Sequence, residues 1–148
     1  MQQASKIASF FLFPVIVFLV HLIAVKGMDL YKTVPNVDVP FHYVGGLSIA
    51  YTSTQILLYL EAEKITGTLN KAIFLVLILS LTATTTVFWE FAEFMMDRFL
   101  GTHLQPSIAN TMQDQFLGIL GGCTWAFIYF KKHLRKSRAS SILSSRPH

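Results

Sequence analysis

Three acidic residues at helical spacing, Glu90, Glu93 and Asp97, form the part of the sequence best suited to chemistry. Steps of three and four residues return to one face of a helix, so the three carboxyl groups line up. Thr82 and Thr86 extend this face into an apolar segment. A carboxylate placed in hydrocarbon costs about 2.5–3.5 kcal/mol on insertion scales. The spacing therefore predicts a polar site in which a metal ion, a proton, a basic partner or a water-filled cleft offsets the acids.

The composition is typical of an integral membrane protein. The 148 residues are 53% hydrophobic and 14% charged, whereas soluble domains carry about 25% charged residues. The net charge of +4 arises in the C-terminal tail, which holds six of the 12 lysine and arginine residues. Because the rest of the chain is slightly acidic, this charge indicates membrane topology and not a nucleic-acid surface. We expect the lipid bilayer as a partner and no nucleic acid.

The hydropathy pattern predicts a single transmembrane domain over residues 1–130, followed by a basic cytoplasmic tail over 131–148 that we expect to be disordered. Four spans are predicted, at about 8–25, 41–61, 71–97 and 111–130. The first is interpreted as a retained helix and not as a cleaved signal peptide. Pro14 is expected in its first turns, where a missing backbone donor is tolerated. His21 is assigned an interfacial or interhelix hydrogen bond in preference to a ligand role.

The last predicted span has a polar start and small residues further along. Asn110 or Thr111 is its expected N-cap, and Asp114 falls in the first turns, where the helix dipole favours a negative charge. Gly118 and Gly122 form a small-xxx-small pair, which allows close approach of a neighbouring helix.

Topology decides which polar residues can meet. The basic tail places the C-terminus in the cytoplasm, and an even number of spans places the N-terminus there too. The expected fold class is an all-α integral membrane protein, an antiparallel four-helix transmembrane bundle with both termini cytoplasmic. In this arrangement His42 begins the second span, Glu90 and Glu93 end the third, and Asp114 begins the fourth, all on the outer side. The sequence therefore predicts that these four side chains converge near the extracytoplasmic face.

Two chemistries fit one histidine and several carboxylates. The first is a divalent metal site with His42, Glu90, Glu93 and Asp114 as ligands, for which oxygen donors suit Mg, Mn or Fe and the histidine admits Zn. A metal would offset the clustered negative charge and activate water. The second is a metal-free hydrogen-bonded network in which Glu90 or Glu93 is protonated and His42 and Asn110 are its partners. No standard metal-binding signature is present, so both remain open.

An ordered set of motifs resembles the YjdF-like family of small bacterial inner-membrane proteins. The family pattern has a histidine followed by a glycine, a Glu-x-x-Glu at a helix end, a Phe-Leu-Gly-Thr segment, and Asp-Thr-x-x-Asp opening the last helix. The matching residues are His42 with Gly45, Glu90 with Glu93, Phe99 to Thr102, and Thr111 with Asp114. Asn110 departs from the pattern, since it stands at the position of the first aspartate. The resemblance implies a bacterial inner membrane and supplies no reaction; a weaker similarity is to VanZ-like membrane proteins.

We expect a membrane enzyme whose site lies near the extracytoplasmic face and acts on a lipid or lipid-linked substrate. Glu90, Glu93, His42 and Asp114 are the candidate metal ligands and catalytic groups. Three further candidates would contact the substrate: Asn110, which would orient substrate or water, and Asp97 and Thr86, which share the acid face. The alternatives are a non-catalytic membrane component that uses the same cluster for helix association or partner binding and, third, a cation or proton transporter.

Overall fold

The chain is all-helical over the residues that the structure describes. A computed structural model describes residues 2–24, 34 and 36–144, without the side chains of residues 2, 4 and 134–144. Five helices are present in this part: α1 (Gln2–Phe10), α2 (Leu12–Leu22), α3 (Asp38–Ala62), α4 (Lys71–Leu100) and α5 (Ile108–Ser144). The described residues contain no strand. By length and composition, α4 is the one described helix that could cross a membrane, and α2 is a shorter apolar helix.

The first predicted span is divided into two helices at Phe11, and Pro14 explains the division. A proline has no N–H to donate four residues back, and its ring clashes with the carbonyl there, which belongs to Phe10. The hydroxyl of Thr52 on α3 donates a 2.8 Å hydrogen bond to this Phe10 carbonyl instead. Pro14 is the third residue of α2, so it lies in the first turn of its helix as expected, although a separate helix, α1, precedes it. The connector residues 25–33 and Pro35 lie outside the described residues.

Local signals set the ends of the other helices. The Asn70 side chain caps α4 by accepting a 2.8 Å hydrogen bond from the Ala72 N–H, and Gly101 ends the helix in the left-handed region at φ 65°. Helix α5 begins at Ile108, where the Ser107 hydroxyl accepts a 3.1 Å hydrogen bond from the Asn110 N–H. Ser107 is therefore the capping residue, and the prediction of Asn110 or Thr111 as N-cap was wrong.

Helix α5 is longer than expected. It continues to Ser144, whereas the predicted span ends at about residue 130 and disorder was expected from residue 131. The segment between Phe130 and Ser144 contains no glycine or proline, so nothing in its backbone chemistry interrupts the helix.

Glycines on α3 and α5 allow these two helices to pack at backbone distance. A Cβ atom built on Gly46 would lie 1.8 Å from the Gly118 carbonyl oxygen, and one on Gly121 would lie 2.0 Å from the Tyr43 carbonyl oxygen. On the α4 side, a Cβ on Gly118 would lie 2.3 Å from the methyl group of Thr86. No side chain larger than hydrogen fits at these positions, so the predicted small-residue face is where α3, α4 and α5 meet.

The order of contacts along the helices brings particular residues to a common level. As numbers rise along α3 they fall along α4: His42 lies near Glu90, whereas Leu57 belongs to a buried cluster with Phe74 and Ile78 at the far end. Along α5 the numbers rise with those of α3, from the contact of Gly46 with Gly118 to the hydrogen bond between Thr54 and Trp125. The start of α3, the end of α4 and the start of α5 therefore lie at the same level.

Candidate functional site

Four predicted site residues from three helices lie together in the interior. His42 of α3 is 7% exposed, Glu90 and Glu93 of α4 are 3% and 2% exposed, and Asp114 of α5 is 1% exposed. The two glutamates lie on the buried face of α4, which continues through Thr86, Thr82, Ile78 and Phe74. We call His42, Glu90, Glu93 and Asp114 the polar centre. The structure thus brings together the side chains that the sequence placed at one depth.

The His42 ring is the middle of the polar centre. Its Nδ1 atom lies 3.7 Å from Glu90 Oε1, and its Nε2 atom lies 3.8 Å both from Glu93 Oε1 and from Asp114 Oδ2. These separations are longer than a hydrogen bond, for which N···O is about 2.7–3.2 Å. The groups face each other across a gap and are not in direct contact.

Two buried carboxylate oxygens of the polar centre have no hydrogen-bond partner among the described residues: Glu90 Oε1 and Asp114 Oδ1. Within the same residues, no lysine or arginine forms an ion pair with Glu90, Glu93 or Asp114. An unpaired buried acceptor costs about 1–3 kcal/mol, and more when it is charged. Within the described protein, no lysine or arginine therefore balances the three buried carboxyl groups, and these two oxygens lack a hydrogen-bond donor, although Glu90 also has Gln105 and Thr111 as side-chain hydrogen-bond partners.

The donor atoms of His42, Glu90 and Asp114 have the spacing of a metal site. One atom from each residue can be chosen so that all three lie within 4.8 Å of one another. Two ligands at about 2.1 Å from an ion are about 3.4 Å apart at a tetrahedral angle and about 4.2 Å apart on opposite sides. The 3.7 Å separation starts from Nδ1 of His42 and the 3.8 Å separation from Nε2, and each falls in this interval. Because an ion binds only one nitrogen of the ring, only one of these two pairs can belong to the site unchanged, and the other carboxylate would have to move toward the ion. The donor set is therefore compatible with a divalent cation after local adjustment.

A loop after α4 holds Glu90 in place. The Gln105 side chain donates hydrogen bonds to the Glu90 backbone carbonyl, at 2.9 Å, and to Glu90 Oε2, at 2.8 Å. Asp97 in turn accepts hydrogen bonds from the Thr102 hydroxyl and from the backbone N–H groups of Leu104 and Gln105. We call this chain of contacts, from Asp97 through the loop to Gln105, the loop latch. The loop latch donates a hydrogen bond to Oε2 of Glu90, and the other oxygen, Oε1, faces His42.

The Asp97 carboxylate is hydrogen-bonded within the loop latch and contacts no described residue of the polar centre. Both Asp97 oxygens accept hydrogen bonds from its own loop, and no contact joins this carboxylate to His42 or Asp114 among the described residues. Asp97 lies on the same helix as the two glutamates, as expected, but its observed contacts are with the loop that it positions.

Glu93 has a different environment from Glu90. The Trp89 indole N–H donates a 2.8 Å hydrogen bond to Glu93 Oε1, and His21 Nε2 lies 3.8 Å from the same oxygen. The His21 ring is 1% exposed and packs edge-on against Phe41 and Trp89, with ring centroids 5.3 and 5.1 Å away. Helix α2 therefore contributes a second histidine to the surroundings of the polar centre.

Asn110 and Thr86 lie beside the polar centre and not in it. Asn110 donates a 2.9 Å hydrogen bond from Nδ2 to Asp38 Oδ2, and its own Oδ1 is buried without a partner among the described residues. The Thr86 hydroxyl donates to the Ala83 carbonyl, at 2.8 Å, within its own helix. Thr86 also lines a cavity that reaches His42.

Two cavities of opposite polarity approach the polar centre. The first, about 30 Å³, lies between α2, α3 and α4; its wall is mainly apolar and includes Pro14, Val17, Ile49 and Trp89, with His42 at one end. The second, about 220 Å³, is mainly polar and lies at the start of α3 and α5. Its lining includes Asn36, Asp38, His103 and Asn110. We call these the apolar cavity and the outer pocket.

Sequence reasoning missed three residues around the polar centre, Asp38, Trp89 and Gln105, and it gave His21 an interfacial or interhelix hydrogen bond without naming a partner. Asp38 could have been found from the sequence, because it precedes His42 by four residues and so shares its helix face. Trp89 likewise precedes Glu93 by four residues. His21 and Gln105 lie on another helix and in a loop, and no spacing within the sequence connects them to the acids.

Comparison with known proteins identifies a family. A protein-family profile described as "Predicted membrane protein (DUF2238)" matches residues 3–135. The chain therefore belongs to this family, which is the YjdF-like family indicated by the motifs around Glu90 and Asp114. No curated protein and no solved structure shows a significant match.

Proposed function

We propose that this member of the DUF2238 membrane-protein family is a membrane enzyme with a divalent metal ion in its polar centre. One observation carries the proposal: donor atoms of His42, Glu90 and Asp114 lie within 4.8 Å of one another in the interior, and two of their oxygens lack hydrogen-bond partners among the described residues. A bound cation would supply the missing positive charge. Its ligands would be one histidine and two carboxylates, a set open to Mg, Mn, Fe or Zn.

The proposal includes a four-helix antiparallel transmembrane bundle with both termini in the cytoplasm. Large apolar side chains exposed on α2, α4 and α5 support it; they include Leu19, Phe88, Phe91, Phe116 and Phe127. Helix α3 is less apolar along its sequence, but its Ser48, Thr52, Ser53 and Thr54 are buried and so need not face lipid. The basic C-terminal tail gives the orientation. The polar centre then lies near the extracytoplasmic face of the bacterial inner membrane.

In this enzyme the residues have separate roles. His42, Glu90 and Asp114 hold the cation, which when bound polarises a substrate oxygen or lowers the pKa of water. Glu93 is the general acid–base: Oε1 lies 3.8 Å from His42 Nε2, and the Trp89 N–H fixes its position. The substrate is a lipid or a lipid-linked compound that reaches the polar centre from the outer leaflet. Asn110 and Thr86 lie where they can contact it.

Metal analysis of the purified protein tests the metal site. The full chain in detergent should retain about one equivalent of a divalent metal and lose it to a chelator. Glu90→Gln preserves shape and removes a ligand charge, so cation affinity should fall at least about 100-fold, because even groups that only orient a ligand change affinity 10–100-fold. Glu63→Gln, on an exposed carboxylate, is the control. A folded wild-type protein without measurable Mn²⁺ or Zn²⁺ binding would refute the site.

A second measurement tests the enzyme. The metal-loaded protein is incubated with a bacterial polar lipid extract, and lipid products are measured by mass spectrometry. Product should form with the wild type and disappear after chelation and in Glu93→Gln. If the protein binds metal but leaves every lipid class unchanged, the catalytic part of the proposal fails and the metal site stands.

A non-catalytic membrane component is the second candidate. The size of the apolar cavity favours it, since about 30 Å³ holds one or two water molecules but no substrate group. In that case the polar centre joins α3, α4 and α5, and Glu90→Ala should unfold the protein in detergent, whereas a variant that stays folded but makes no product would support catalysis. Transport has less support, because the buried face of α4 beyond Thr86 consists of uncharged residues, namely Thr82, Ile78 and Phe74.

A further inference from the structure

The outer pocket lies one helical turn above the polar centre. Asp38 precedes His42 by four residues on α3, and Asn110 precedes Asp114 by four residues on α5, so each pair shares a helix face. Within the upper level, Asn110 Nδ2 is 2.9 Å from Asp38 Oδ2. Within the lower level, His42 Nε2 is 3.8 Å from Asp114 Oδ2. The same two helices therefore provide two polar levels, the outer one beside a pocket of about 220 Å³.

The groups at the outer level are acceptors that suit a hydrated cation. Asp38 contributes a half-buried carboxylate, and Asn110 Oδ1 is buried and accepts no hydrogen bond from the described residues. The His103 ring lines the same pocket. Oxygen donors of this kind bind Mg²⁺, Mn²⁺ and Ca²⁺, either directly or through the water that these ions retain.

A route is needed because the polar centre is closed to solvent, with every member at most 7% exposed. The apolar cavity is an unfavourable route for an ion, since a charged group loses its hydration against apolar walls at high cost. The outer pocket, in contrast, has polar groups in its wall, and two of them, Asp38 and Asn110, lie one helical turn from His42 and Asp114. The hydrogen bond between Asn110 and Asp38 joins these two residues.

We propose that the outer pocket is a second cation site, where a hydrated divalent cation binds to Asp38 and Asn110 before it passes to His42 and Asp114. This inference rests on the proposed metal site and deepens it by assigning its access route. Loading breaks the Asn110–Asp38 hydrogen bond and exchanges part of the hydration of the ion for the ligands of the polar centre. No covalent step is involved.

The test follows Mn²⁺ loading in real time. The full chain carries Trp125→Phe, so that fluorescence comes from Trp89, whose ring centroid is 6.0 Å from that of His42. Stopped-flow mixing with Mn²⁺ gives the association rate constant, and mixing the loaded protein with chelator gives the dissociation rate constant. In the wild type, the Val39 N–H donates a 3.0 Å hydrogen bond to Asp38 Oδ1. Asp38→Asn keeps a side-chain acceptor for this N–H but removes the negative charge.

In Asp38→Asn the association rate constant should fall about tenfold at low salt and lose most of its salt dependence, because a lost charge removes electrostatic attraction. In Asn110→Ala the overall charge is unchanged, so association and dissociation should change by the same factor, with affinity within about threefold of wild type. The matched controls are Glu63→Gln for the charge and Gln113→Ala for the amide, both exposed.

Three other results would each contradict one part of the proposal. If wild-type protein loads Mn²⁺ and both variants load and release it within twofold of wild type, the route through the outer pocket is wrong and the metal site remains. If Asn110→Ala abolishes binding, Asn110 is a ligand of the final site and not an access residue. If folded wild-type protein shows no Mn²⁺ binding at all, the proposed metal site fails, and the route fails with it.

Discussion

Replacing Gln105 tests whether the loop latch prepares Glu90 to bind a cation. Gln105→Ala removes the amide that donates to the Glu90 carbonyl at 2.9 Å and to Oε2 at 2.8 Å. It leaves the hydrogen bond between the Gln105 backbone N–H and Asp97 Oδ2 intact. The substitution thus frees the Glu90 carboxylate without changing any proposed ligand.

The size of the effect follows from these two contacts. A buried acceptor left without its donor costs about 1–3 kcal/mol, and Glu90 is only 3% exposed. We therefore expect the free energy of unfolding to fall by about 2 kcal/mol. Groups that orient a metal ligand typically change affinity 10–100-fold, so Mn²⁺ affinity should fall by about this factor.

Calorimetric titration with Mn²⁺ and thermal unfolding in one detergent measure both quantities. Gln113→Ala is the matched control, because it makes the same change at an exposed position of α5 and should alter neither. Asp97→Asn tests the contact between Asp97 and the loop, because the loop N–H groups lose a charged acceptor. It should also lower Mn²⁺ affinity, by a smaller factor than Gln105→Ala does. If Gln105→Ala binds Mn²⁺ as tightly as wild type while its stability falls, the loop latch is structural and our account of Glu90 positioning is wrong.

Three further predictions address packing, Glu93 and topology. Gly46→Ala places a Cβ 1.8 Å from a backbone carbonyl oxygen of α5, so stability should fall by about 3 kcal/mol or more, the upper end for overpacking. Gly45→Ala, with nothing within 4 Å, should unfold at or above the wild-type temperature, because alanine favours a helix over glycine. Trp89→Phe removes the donor to the second glutamate, so stability should fall by about 1 kcal/mol while calorimetric Mn²⁺ affinity stays within about threefold of wild type. In a background without the native cysteine, His103→Cys should react with a membrane-impermeant maleimide in intact cells, whereas Thr66→Cys should react only after permeabilisation.

Each of these measurements has an outcome that contradicts its premise. Equal unfolding temperatures for the two glycine variants would show that α3 and α5 do not meet at Gly46. A loss of cation affinity in Trp89→Phe as large as that in Glu90→Gln would make Glu93 a ligand and not the general acid–base. Labelling of Thr66→Cys in intact cells would reverse the proposed orientation of the bundle.

The convergence of His42, Glu90, Glu93 and Asp114 could be predicted because each lies near a helix end and helices pack along their length. Hydropathy locates the ends, the three-residue step places Glu90 and Glu93 on one face, and alternating direction brings three ends to the same level. The resemblance to the family added the order of the motifs. Distances within the polar centre could not be predicted, since they depend on how closely the glycine faces of α3 and α5 approach.

Features that depend on contacts between distant segments were not readable from the sequence. The break at Phe11 follows from Pro14, but its tolerance depends on Thr52, which donates to the freed carbonyl of Phe10. The functions of Asp97 and Gln105 depend likewise on a loop that folds back over α4. Spacing predicted Asp97 on the acid face and gave no information about the loop whose N–H and hydroxyl groups hydrogen-bond to its oxygens.

The same close packing that forms the polar centre also buries its acidic side chains away from solvent. Because Gly46 and Gly118 bring the two backbones into contact, His42 and Asp114 approach to 3.8 Å and are closed to bulk solvent. The loop latch then occupies one oxygen of Glu90 and directs the other, without a hydrogen-bond partner among the described residues, toward the His42 ring. A purely structural network would be expected to pair that oxygen, since an unpaired buried acceptor opposes folding. Under the metal proposal a bound cation is the partner of that oxygen, whereas in a purely structural network a buried water would take that place.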